Sequence, residues 1–310
     1  MVSRVASTTA TQATHRVGAA SAAGTAARRL VRAWRMALEE LGDPADAEAM
    51  KQYMKGVAPF FGVKSVARRS VANAAKSQAA LSPDLTRDWG FYVAVMDTAL
   101  DEEERELHYC AVDLLSSAQA KKCLVQLDAE AASAQIDGAL RRWVTTKPWW
   151  DTVDLLASHV GGAFWQHHTP QMREHMRLWL KSDSLWQQRT AILCQLKQRH
   201  STDKAFLFEA CSSLMGGTEF FINKAIGWAL RNYARVNAEA VQAFVAQHDE
   251  RISALSRREA LKHIGPGSAG SEKEKTDRKK DKKTDNATQK RHQRANAKRK
   301  AASTATRSKR

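Results

Sequence analysis

Trp150, Arg189 and Trp228 follow one another at intervals of 39 residues, each inside a stretch whose apolar residues return at helical spacing. No other pattern in the chain restricts the fold as much. An interval near 40 residues has room for two ordinary helices and their connections, so the chain reads as helix pairs stacked in a row. In such a stack, equivalent positions of successive pairs point to one surface. Asp154 joins that surface, because it stands one helical turn after Trp150 in KPWWDTVDLLASH, residues 147–159.

The sequence between the two ends agrees with this reading. Its apolar spacing is helical almost everywhere and contains no convincing strand, so the fold class expected is all-α, a HEAT-like helical solenoid curved around a concave groove. Helix starts are predicted at Asp43-Pro44, Ser82-Pro83-Asp84 and Lys147-Pro148, with proline near the first turn, where its missing N–H costs nothing. The acidic run DEEEREL (101–107) is read as a helix N-terminus whose dipole favours acid, with no further role. Cys110, Cys123, Cys194 and Cys211 lie far apart within apolar patterns, which predicts reduced thiols filling the core. No run of eighteen apolar residues occurs, so no transmembrane helix and no membrane partner are expected.

Charge divides the chain into three. Residues 1–35 hold six arginines and no acid, and residues 266–310 hold 16 Lys/Arg against five Asp/Glu. The net charge of +16 therefore belongs to the ends, and the middle is close to neutral. Residues 1–25, rich in Ser, Thr and Ala, read as a disordered leader or a transit-like segment. Residues 26–265 form the folded domain, and 266–310 a disordered basic tail with almost nothing apolar to bury. Basic ends of this kind seek polyanions. KRHQRANAKRK (290–300) fits a nuclear address or a nucleic-acid arm, whereas a transit peptide would direct the chain to a mitochondrion or plastid.

Taken singly, the residues of the shared surface have ordinary explanations. Trp150, Trp228 and the adjacent Trp149 can fill core, Asp154 can pair structurally, and Arg189 can lie on the surface. Together they suit a cationic substrate tethered to a polyanion. Indole faces attract cations by ~0.5–2 kcal/mol. A guanidinium can grip phosphate with two donors, and a carboxylate can stabilise positive charge or position a water.

Four stretches carry a resemblance: WWDTVDLLASH (149–159), WLKSDSLWQQRTAILCQLK (179–197, with Trp179, Ser184 and Trp186), EFFINKAIGWALRNYAR (219–235) and LSRREALKHI (255–264). With MKQYMKGVAPFFGVKSVARRS (50–70) upstream, the chain resembles the DNA alkylation repair family, the AlkD-like HEAT-repeat DNA glycosylases, over about residues 30–264. Ala67 replaces a commonly acidic residue before Arg68-Arg69, and residues 71–146 match weakly.

The resemblance implies a monofunctional glycosylase that hydrolyses the N-glycosidic bond of cationic N3- and N7-alkylated purines in duplex DNA, without metal or other cofactor. It places the catalytic carboxylate on Asp154, its companion indole on Trp150, the active-site arginine on Arg189 and the second groove indole on Trp228. Arg189 is expected to hold a flanking phosphate, with Arg231, Arg69 and Ser65 on the DNA backbone further along. The resemblance also allows catalysis without the base flipping that most base-processing enzymes use. The implied partner is double-stranded DNA with alkylated bases, the basic tail lies on its phosphates, and a monomer is expected. The alternatives are a HEAT-like module that binds distorted or branched DNA without excising bases, and a protein-binding helical scaffold.

Overall fold

The computed structural model describes the backbone of residues 5–79 and 81–264, with side chains from Ala22 onward apart from positions 77 and 78. The basic tail 266–310 and the side chains of most of the leader lie outside the described residues. The first helix, Val5–Glu40, runs through the boundary drawn at residue 25.

Among the described residues the chain is a succession of fourteen helices without a strand, a helical repeat fold. The opening helix shows how sequence dictates packing. Ala23, Ala26, Ala27, Leu30, Val31, Trp34 and Leu38 recur at three- and four-residue spacing, and all are buried. This stripe lies mainly on helix Trp89–Asp101 and on helix Ser65–Gln78, whose Ala72 carbonyl accepts the Trp34 Nε1–H at 3.2 Å. Each large apolar side chain so buried contributes about 1.5–3 kcal/mol.

Two helices are interrupted without ending. Residues 150–167 run as one helix in which Leu156–Gly161 form a wide π turn, and residues 129–145 do the same through Ile136–Leu140. Such turns accommodate an extra residue and are frequent at functional positions.

The predicted helix starts fare unequally. Asp43 caps helix Pro44–Tyr53, accepting from Ala45 and Asp46 N–H at 2.9 Å each, as expected. Ser82-Pro83-Asp84 precedes only the short 3₁₀ turn Leu85–Arg87. The helix proper begins at Trp89, because Asp88 is extended and accepts the Gly90 N–H at 2.9 Å. Lys147-Pro148 lie just outside their helix, which starts at Trp150 with Trp149 as its extended cap residue. The four cysteines are free and buried, as expected. Among the described residues no helix is long and apolar enough to cross a membrane.

Long-range polar links join successive repeats. Trp89 reaches Gln135, Trp143 reaches Asp97, and Arg105 reaches Asp151, all 46 positions apart. Further on, Arg189 meets Asp154 at 35 positions and Gln198 meets Gly162 at 36. The 39-residue interval thus lies between a longer early step and a shorter late one.

Candidate active site

Trp150, Asp154 and Trp228 line one cavity of about 680 Å³, together with Tyr53, Tyr109, Phe60 and the Ser65 end of its helix. The recurrence read in the sequence therefore brings its residues together in space. Tyr53 and Trp150 meet edge to face, with ring centroids 6.0 Å apart. Trp149, predicted for the core, packs on Trp186 and Phe221.

The carboxylate of Asp154 sits at the wall of this cavity, 12% exposed. Arg189 donates from Nε to Oδ1 at 2.7 Å and from Nη2 to Oδ2 at 2.9 Å. Its Nη1 donates to the Phe221 carbonyl, and the side chain is only 4% exposed. Burial raises the Asp154 pKa above the usual carboxylate range, and the paired guanidinium pulls it back. Arg189 lies behind the carboxylate, not on the surface. The expectation that it grips a flanking phosphate is corrected: its three nitrogens are engaged below the surface, and it aims and sustains the Asp154 charge.

A second buried pair lies beneath the first turn of the same helix. Arg105 donates from Nε and Nη2 to the two oxygens of Asp151 at 2.9 Å each, and from Nη1 to the Lys147 carbonyl at 2.7 Å. Tyr109 donates its hydroxyl to Asp151, and burial followed by that carboxylate drives the phenol pKa up. Lys147 stands at φ 44, a left-handed conformation unusual for a non-glycine residue. Its backbone is held there by Arg105, and its ammonium donates to Glu103 at 2.8 Å.

The neighbouring Glu106 builds the opposite wall. Its carboxylate accepts the N–H groups of Phe61 at 3.2 Å, Gly62 at 2.9 Å and Val63 at 3.2 Å. Gly62 has φ 88, and a Cβ there would lie 2.1 Å from the Asp43 carbonyl oxygen, so only glycine fits this close approach. These bonds carry Phe60, Val63 and Lys64 to the cavity. The acidic run 101–107 was expected to serve only a helix terminus. The correction is that Arg105 and Glu106 are both 1% exposed and between them fix two walls of the site.

The remaining expected residues are dispersed. Ser65 lies at the cavity rim and is exposed. Arg69 is exposed outside it, 3.5 Å from Asp113 and lining a smaller depression with Lys76. Arg231 is engaged by Glu259, which also receives Lys224 at 2.7 Å, so as folded its charge is spent within the protein. Trp228 is held by the residue before it. A Cβ on Gly227 would meet Glu259 Cβ at 2.6 Å and the Ser256 carbonyl oxygen at 2.9 Å, which shows how closely helix Ala254–Ala260 seats on helix Phe220–Ala234.

The cavity is thus aromatic and bears more acid than base: Asp46, Glu106, Asp151 and Asp154 against Lys64 and Arg68. It offers π faces and a buried carboxylate paired with a guanidinium to a cation.

Comparison with known proteins follows the same direction. Comparison with curated proteins gives no match. Among solved structures the chain is similar to one described as a predicted DNA alkylation repair enzyme from Enterococcus faecalis. The two share 25% identity with a TM-score of 0.60, over 73% of this chain and 98% of that one. The family model described as DNA alkylation repair enzyme matches residues 34–264, a span that contains every cavity residue named above. The chain belongs to the DNA alkylation repair enzyme family.

Proposed function

We propose that this protein is a monofunctional DNA glycosylase that releases N3- and N7-alkylated purines from duplex DNA. The observation that carries this reading is the Asp154 carboxylate, held by Arg189 in a cavity that Trp150 and Trp228 also line. A module that only bound DNA would need cations at this surface; it would have no use for a buried carboxylate among aromatic faces.

The chemistry follows from charge. An alkylated purine already carries a positive charge, so its bond to C1′ is weakened. As that bond breaks, its electron pair returns to the base, which leaves neutral and needs no strong general acid. The positive charge moves to the deoxyribose as an oxocarbenium ion, and Asp154 faces it with a carboxylate whose pKa burial raises and the paired Arg189 lowers. Water then adds to C1′ and gives up a proton, leaving an abasic site. Indole faces lower the energy of the cation further. A fixed group aimed where charge develops is commonly worth ~3–4 kcal/mol.

The test is release of 7-methylguanine from methylated duplex DNA by the intact protein and by Asp154→Asn. Release by the first, with a loss of about 10²–10³-fold in the second and DNA binding kept, is the expected result. If both bind DNA and neither frees a methylpurine, the protein is a non-catalytic DNA-binding module and Asp154 is structural.

A further inference from the structure

His159 stands five residues beyond Asp154 on the same helix, and Lys197 eight residues beyond Arg189 on the neighbouring segment. The two segments are therefore joined by two rungs. The first is the Arg189–Asp154 pair; in the second, the Lys197 ammonium donates to Nε2 of His159. The second rung contains no acid. The other charged groups that face His159 are Lys121 on helix Ala118–Val125 and Asp113 on helix Arg105–Leu115. Asp113 is already shared by Arg68 at 3.0 Å and Arg69 at 3.5 Å.

Lys121 and Lys197 are exposed and His159 is half-buried, so the cluster is open to a ligand. It is also short of negative charge. Burial, then Lys197 and Lys121, push the His159 imidazole down to about 4, and burial with Lys121 lowers Lys197. Five helical residues advance roughly 6–8 Å along the axis. A DNA strand carries one phosphate per ~3.4 Å of rise, which places the cluster within a step or two of a nucleotide whose sugar lies at Asp154.

We propose that Lys121, His159 and Lys197 form a clamp for one backbone phosphate of the damaged strand, and that His159 takes up a proton from solvent as the phosphate enters. A phosphate oxygen then replaces the imidazole as acceptor for Lys197, and the imidazolium becomes a second charged donor. This rests on the reading of the chain as a DNA-binding enzyme and adds where a phosphate is held and how pH governs it. The sign is fixed by linkage. The phosphate raises the His159 pKa in the complex above its value in the free protein, so affinity falls as pH rises through the bound-state pKa.

The test uses the full chain and a fluorescent duplex bearing a non-hydrolysable abasic analogue, so that no bond needs to break. Affinity is measured by anisotropy between about pH 5.5 and 8 at several salt concentrations. The wild type is expected to lose about tenfold more affinity across this range than His159→Gln or His159→Asn. Lys197→Met is expected to reduce the log–log salt slope by ~0.9. Two histidine variants that keep the wild-type pH profile overturn the proton uptake, and an unchanged slope in Lys197→Met overturns the clamp. Base release from methylated DNA is followed separately at saturating protein. Its absence with the clamp signature intact defeats the glycosylase reading alone.

Discussion

Both oxygens of the Asp154 carboxylate are held by one side chain, Arg189, whose third nitrogen is fixed by the Phe221 carbonyl. Three helices of successive repeats therefore meet in a single guanidinium. The carboxylate cannot turn away from the cavity without giving up two charge-assisted bonds, and these bonds lower its pKa against the larger, raising effect of burial.

Arg189→Met is expected to leave Asp154 buried without its partner and to cost ~3–5 kcal/mol, read as a lower urea midpoint. Arg189→Lys keeps the charge but not the fork, so its loss of stability is smaller while base release still falls. A methionine variant as stable as the wild type would show that the pair does not sustain the site.

Trp150→Ala and Trp228→Ala are each expected to slow single-turnover release of 7-methylguanine by about 2- to 30-fold, the range of a cation–π contribution. Trp150→Phe falls between the alanine variant and the wild type. Equal rates in all of them would remove the indoles from the mechanism.

Stability is expected to fall in acid because of His108. The imidazole is fully buried, donates from Nε2 to the Glu102 carbonyl at 3.0 Å, and is pushed by burial from 6.5 down to about 4. A depressed histidine pKa means that the unfolded chain binds the proton more readily. Its contribution is complete above 6.5 and is lost as pH falls towards 4, by up to ~3 kcal/mol. Denaturant titrations at pH steps across this window should give a flatter dependence for His108→Gln; an unchanged slope assigns it to other groups.

Gly227→Ala is expected to lower stability by ~1–3 kcal/mol, since the added methyl meets the Ser256 backbone and Glu259 Cβ. Gly217→Ala, where nothing lies nearer than 3.9 Å, should be close to neutral. Thermal melts of the pair decide the matter, and similar values would mean that the final helix is free to shift.

Truncation after residue 265 removes the basic tail and is expected to flatten the salt dependence of DNA binding, by ~0.9 in slope for each phosphate that the tail neutralises. Single-turnover excision should be nearly unchanged. A collapse of excision would place the tail in the site.

The convergence of Trp150, Asp154 and Trp228 was legible in the sequence because equal spacing along a stack of helices puts equal positions on one face. Arg189 was legible as a participant but not in its role. Its partner stands 35 positions away, and no local pattern distinguishes an arginine aimed at a carboxylate from one aimed at a phosphate. Arg105 and Glu106 were hidden more deeply. In DEEEREL they look like part of a solvated acidic run, and what buries them is a loop 43 to 45 positions upstream and a helix start 46 downstream. Tyr53 stood in a stretch that carried the resemblance but with no role attached to it, and Tyr109 carried no signal beyond its residue type. The helix misplaced at Ser82-Pro83-Asp84 had two aspartates able to cap it, and only backbone conformation at Asp88 decides between them.

The wide turn at Leu156–Gly161 makes the helix of residues 150–167 two helices in different phase. Before it, Trp150 and Asp154 keep register with the cavity; after it, Phe164 and Trp165 keep register with the interior, at 0% and 3% exposure. Each residue of an α-helix turns the chain by about 100°. Losing one residue elsewhere in the helix would therefore rotate one half against the other by that amount, whereas the wide turn already holds one residue in excess and could release it by closing to ordinary α geometry, with both halves kept in register.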